Sequence, residues 1–158
     1  MVPPEKIQRE ILISGAASWW HDRFMFTLHP QLAADTTPIT TLELCHVRLL
    51  KDANYPWLVL VPGRPDITGM HQLAAADGAT LMAEIRHASD VLEKLYTPTR
   101  INVAALGNMV AQLHIHVIAR FDTDAAWPGP VWGAVAAKVY DEESLQATVG
   151  SLKQALAR

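Results

Sequence analysis

Cysteine is almost absent: Cys45 stands alone in 158 residues. A single thiol excludes an internal disulfide and a cysteine-built zinc knuckle, and it points to a reducing compartment, so a cytoplasmic location is expected. Cys45 itself reads as a small buried hydrophobe. Charge is sparse as well, at 18% of residues, with 13 basic against 16 acidic side chains and a net charge of −3. That balance leaves no basic face for long nucleic acid, so any nucleotide partner is a small molecule. Long apolar runs are missing too. No stretch reaches the roughly 18 consecutive apolar residues of a membrane span, so no membrane partner is expected. The short run at 11–17 is interrupted by Ser14 and Gly15 and follows Glu5, Lys6, Arg9 and Glu10, which does not read as a signal peptide.

What remains is a half-apolar chain of one-domain length, 50% hydrophobic, with seven histidines: His21, His29, His46, His71, His87, His114 and His116. Imidazole is therefore the expected site chemistry. Residues 1–21 read as an N-terminal extension with a short helix over 5–13, because the alternating pattern begins only near Phe24. Strands are expected at 24–28, 42–50, 57–61, 101–106 and 112–120, with a turn at Asp35-Thr-Thr-Pro38 and a breaker cluster at Pro62-Gly63-Arg64-Pro65. Leu81, Ile85, Ala88, Leu92 and Leu95 recur at helical spacing and predict an amphipathic helix over 77–96, with Asp77 placed to N-cap it. His87 falls off that stripe and reads as a solvated surface residue. Leu145, Val149, Leu152 and Leu156 predict a terminal helix within 134–158, packed on the same domain as 22–133. The order describes an α+β domain with a largely antiparallel five-stranded sheet, one long central helix and a C-terminal helix.

Gln112-Leu-His-Ile-His-Val-Ile-Ala-Arg120 alternates polar and apolar over its first six positions. On a strand, Gln112, His114 and His116 then share one face about 6.6–6.8 Å apart, with Leu113, Ile115 and Val117 toward the core. Three readings compete. The face is simply exposed; or the paired imidazoles hold Zn²⁺, which needs a third protein ligand that no nearby Cys, Asp or Glu offers; or one imidazole is a nucleophile in phosphoryl chemistry. Asn102, Gly107 and Asn108 precede the histidines, and a glycine turn with two carboxamides suits an anion pocket better than a metal.

Gly107-Asn-Met-Val-Ala-Gln-Leu-His-Ile-His-Val-Ile-Ala-Arg120 resembles the signature of the histidine-triad (HIT) superfamily, and most closely a bacterial HIT-like branch in which Gln opens the triad. The resemblance runs from about Phe24 to Trp132. It implies a nucleotide phosphohydrolase or nucleotidyl transferase that acts at the α-phosphate of a dinucleoside polyphosphate or nucleoside phosphoramidate. His114 matches the nucleophile that carries the nucleotidyl intermediate, and His116 matches the third triad position. A hydrogen bond with His116, or one donated to a backbone carbonyl, then holds the nucleophile's tautomer. Gln112 keeps an amide donor for phosphate in place of the first triad histidine. Asn102 and Asn108 match phosphate-side amides, Asp52 matches a ribose-side acid, and His29 lies near the base pocket. His21, His46 and His71 carry no expected role beyond structure or surface. No cofactor or metal is implied, and a homodimer is. Met109 stands where many members have Ser or Thr, and the Pro-Gly-His segment common ahead of the third strand is missing. A nucleotide-binding module with little turnover is therefore the alternative, with a His-x-His metal hydrolase behind it.

Overall fold

Alternation along the strands builds two cores on one sheet. The computed structural model describes residues 25–157; the expected extension at 1–21 and the short helix expected in it, His21, Phe24 and Arg158 lie outside the described residues. Five strands pair antiparallel throughout: β1 (Thr36–Thr41), β2 (Cys45–Leu50), β3 (Trp57–Pro62), β4 (Arg100–Ala104) and β5 (Ile115–Arg120), in the spatial order β1-β2-β3-β5-β4. On one face Cys45, Val47, Leu49, Leu58, Leu60 and Ile115 pack against the helices α2 (Ala75–Tyr96) and α3 (Glu142–Leu156). The opposite face carries a second cluster of Tyr55, Trp57, Val59, Val110, Ile118 and Val131, joined by Leu32 from the short helix α1 (Pro30–Asp35). The functional candidates lie on this second face.

The long helix forms where its periodicity predicts, with Leu81, Ile85, Ala88 and Leu92 buried. Its start differs. Asp77 lies in the first turn and Ala74 is the N-cap. The Asp77 carboxylate instead accepts from both Arg64 Nε (2.7 Å) and Arg64 Nη2 (2.6 Å), which holds it below the usual carboxylate range. The helix ends at Thr97, whose left-handed φ of 48° precedes Pro98. His87 is half-buried rather than solvated, with Nε2 3.0 Å from the Leu156 carbonyl oxygen, so it ties α2 to the end of α3. Leu152 and Leu156 enter the helix-side core.

The first third of the chain is where the sequence reading needs most correction. Met25–His29 is not a strand, because its backbone pairs with a side chain rather than with a neighbouring strand. The expected turn at 35–38 is the end of α1 and the start of β1. The expected strand at 42–50 begins only at Cys45, after a turn closed by the Leu42 N–H donating to the Cys45 carbonyl at 2.9 Å. Cys45 is fully buried and desolvation pushes its thiol far above the ordinary range, as suits a small hydrophobe. β4 stops at Ala104, and β5 starts at Ile115, three residues later than expected.

Candidate active site

β5 places His116 on the face opposite Ile115 and Val117, and His114 precedes the strand by one residue. Neither histidine is on an open surface: His114 is 8% and His116 7% exposed. Their rings meet edge to face at 4.9 Å. Both line a cavity of about 600 Å³ whose apolar wall includes Leu32, Leu50, Val59, Val110 and Trp132. Gly107, Asn108 and Met109 close one side. Gly107 turns the chain there with φ +73°, a conformation that suits glycine.

The hydrogen bonds assign each ring's proton. The carbonyl of Gln112 can only accept, so His114 Nδ1, 2.7 Å from it, carries the hydrogen. In the neutral ring Nε2 then holds a free lone pair. The indole of Trp57 can only donate, so His116 Nδ1, 3.0 Å from Trp57 Nε1, is an acceptor and the His116 hydrogen sits on Nε2. Burial, with the charge of neighbouring His114 second, pushes the His116 pKa down to about 4, which keeps the ring neutral. Trp132 packs edge to face on both His116 (5.3 Å) and Trp57 (5.5 Å). One imidazole therefore offers a lone pair and its neighbour an N–H. Of the two devices open to the sequence reading, the backbone carbonyl, not His116, sets the tautomer of His114.

Of the other expected site residues, the structure brings Asn108 to this cavity and leaves the rest engaged elsewhere. The Asn102 carboxamide oxygen accepts from Arg120 Nη1 at 2.9 Å. Arg120, 1% exposed, also bonds Asp124 (2.7 and 3.0 Å) and the Gly129 carbonyl (3.0 Å). Those contacts pin the loop that carries Trp132. Asp52 is a buried turn acid whose Oδ1 accepts from the Asn54 N–H, the Asn54 carboxamide and the Lys138 N–H. Asp35, in a segment read from sequence as a turn, is the acidic residue that lines the cavity, and its two carboxylate oxygens accept from Gln31 Nε2 at 2.8 and 2.9 Å. His29 caps α1, its Nδ1 accepting from the Gln31 N–H at 3.1 Å. Gln112 bonds backbone at both ends of its carboxamide, accepting from the His29 N–H (2.9 Å) and donating to the Thr27 carbonyl (2.8 Å). His46 stacks on Phe26 at 4.6 Å and His71 is exposed, consistent with structural or surface positions. Among the described residues no group of three or more His, Cys, Asp or Glu side chains is placed to hold a metal ion.

Sequence reasoning missed Trp57, Trp132 and Asp35. An indole beside a strand's start reads as core, and nothing in the aromatic stretch 127–132 says which strand it covers.

The model of the HIT domain family matches residues 31–123. This chain belongs to the HIT domain family. A crystal structure of a histidine triad protein from Bradyrhizobium japonicum is 43% identical, with a TM-score of 0.82 over 84% of this chain and 98% of that one. A histidine triad protein from Marinobacter aquaeolei is 41% identical, with a TM-score of 0.82 over 84% and 97% of the two chains. Among curated proteins, none matches this chain. The stretch matched to the HIT domain holds His114, His116, Asn108 and Asp35. Trp132 lies beyond its end, and Thr27 and His29 lie before its start.

Proposed function

We propose that this HIT domain protein hydrolyses or transfers the nucleotidyl group of a purine nucleotide at its α-phosphate, through an intermediate on His114. The observation that carries the reading is the pair of opposed tautomers in one cavity. HIT domain proteins are generally nucleotide-binding hydrolases or transferases, which supports the substrate class. The His114 Nε2 lone pair forms the bond to phosphorus while the bond to the leaving group breaks; the leaving group keeps that electron pair and takes a proton from water. The ring becomes positively charged, and its Nδ1–H already points at the Gln112 carbonyl dipole. Water then attacks phosphorus, loses a proton, and returns the N–P electron pair to Nε2.

His116 acts in this scheme as a hydrogen-bond donor to a phosphate oxygen and not as a proton donor. Its Nδ1 is occupied by the Trp57 N–H, so giving up the Nε2 proton would leave an imidazolate. Asn108 supplies a second polar group on the phosphate side, and Asp35 is the carboxylate this cavity offers to ribose hydroxyls. Leu32, Leu50 and Val59 make the apolar wall for the base. Among the described residues no Lys or Arg lines the cavity. A phosphoramidate, with one negative charge on a single phosphate, therefore suits this lining better than a dinucleoside polyphosphate, whose added charges meet no counter-charge among the described residues. A homodimer formed at the β4 edge, which no strand covers among the described residues, belongs to the same reading.

Steady-state hydrolysis of adenosine phosphoramidate tests it. His114→Ala is expected to lower kcat by on the order of 10⁴-fold or more. Wild-type turnover no higher than the variant's would contradict the reading, and AMP binding without turnover would leave a binding module in its place. Stoichiometric zinc with loss of activity on chelation would replace it with metal hydrolysis.

A further inference from the structure

Gln112 stands where the HIT signature opens with an imidazole, and its side chain does work that an imidazole is poorly shaped to do. In a primary amide the carbonyl lone pair and the syn N–H point the same way. Across an extended segment, the carbonyl of one residue and the N–H of the residue two further on also point the same way. Gln112 matches the two: its oxygen accepts from the His29 N–H at 2.9 Å and its nitrogen donates to the Thr27 carbonyl at 2.8 Å. The carboxamide thus takes the place that the N–H and C=O of one residue take in a parallel bridge around Leu28. The two nitrogens of an imidazole point away from each other across the ring, so a histidine can hold one of these partners and not both.

What this clasp holds leads to the cavity. His29 is bonded three times: its N–H to Gln112, its carbonyl to the Ala33 N–H (3.0 Å), and its ring to the Gln31 N–H (3.1 Å). Those last two bonds form the first turn of α1. α1 in turn supplies Leu32 and Asp35 to the cavity wall, and Thr36 follows them. The bond that sets the His114 tautomer uses the Gln112 backbone carbonyl, which any residue provides.

We infer that Gln112 is a positioning residue for substrate affinity, holding the α1 wall of the nucleotide cavity through His29, and that it is not a donor to the transition state. This rests on the nucleotide reading of the cavity. A donor to the reacting phosphate predicts loss of kcat at unchanged affinity; a clasp on the cavity wall predicts the reverse.

The test uses Gln112→Ala, Gln112→Glu and Gln112→His, with AMP affinity by calorimetry and with kcat and KM on adenosine phosphoramidate. Alanine removes both bonds; glutamate keeps an acceptor for His29 and repels the Thr27 carbonyl. The expected result is a rise of about tenfold in AMP Kd and in KM for alanine, with kcat within threefold. Glutamate falls between alanine and wild type, and histidine does not raise kcat. Amide exchange at His29 accelerates in the alanine variant and in wild type stays slow. A fall in kcat of about 10²-fold with AMP affinity unchanged would overturn the inference and make Gln112 a donor to the transition state. An alanine variant that binds AMP as wild type does would overturn it too. Wild-type protein that binds no AMP would defeat the nucleotide reading itself, a separate outcome visible before any variant is made.

Discussion

An imidazole buried against an indole N–H has no free nitrogen on which to take up a proton. Protonating His116 would set one N–H against another in a site that is 7% exposed, and burial with the nearby His114 lowers its pKa to about 4. In the unfolded chain the same ring titrates near 6.5. Between those values the unfolded state binds the proton and the folded state does not, so stability falls as pH drops from 6.5 toward 4. The loss from this group is on the order of 3 kcal/mol. Urea unfolding at pH 7 and at pH 4.5 is expected to show this in wild type, and to show a shallower dependence in His116→Gln. Equal slopes would mean His116 is not held neutral. The two histidines were legible in the sequence because period-two alternation set them apart from Leu113, Ile115 and Val117. Trp57 was not legible. Only the register that pairs Val59 with His116 brings the neighbouring indole diagonally onto the ring.

At the scale of elements, α2 shows what a periodicity reading sees and what it misses. Its apolar stripe was plain, yet Glu84 lies among those residues at 7% exposure. Its two oxygens accept from the Leu44 N–H (2.7 Å) and the Cys45 N–H (2.9 Å), closing the turn between β1 and β2. Glu84→Ala leaves both donors buried without a partner and is expected to cost about 2–4 kcal/mol in denaturant unfolding. Glu84→Gln, which keeps one acceptor, is expected to cost less; a neutral alanine variant would show that the turn closes without the helix. α1 and β1 were missed for a related reason. α1 has six residues, begins at a proline and is capped by the ring of His29, so it has no repeat to read, and Pro38 made an edge strand resemble a turn. Asn102 and Asp52 looked functional because a carboxamide and a carboxylate suit phosphate and ribose. Their engagement, by Arg120 at the end of β5 and by the Lys138 N–H, depends on partners far along the chain.

Across the whole molecule, the sheet order leaves β1 and β4 as edges, and β4 carries Val103 at 48% exposure with no strand beyond it among the described residues. An uncovered edge of this kind is suited to pairing with a second copy. Sedimentation at micromolar concentration is expected to show a dimer, weakened by Val103→Lys; a monomer at all concentrations would remove the homodimer from the proposal. The antiparallel sheet from β2 to β5 and the core beneath the one long helix were foreseeable from strand spacing and helical periodicity. The second core was not, since it is assembled from Leu32, Trp57, Val110 and Val131, which are distant in sequence. That second core supplies the apolar wall of the cavity that His114 lines. The most direct measurement is therefore rapid quench of wild-type protein with adenosine phosphoramidate, followed by mass spectrometry of the peptide containing His114. The account predicts a covalent adenylyl group on His114, absent from His114→Ala. Turnover with no adduct on that residue at any quench time would contradict it.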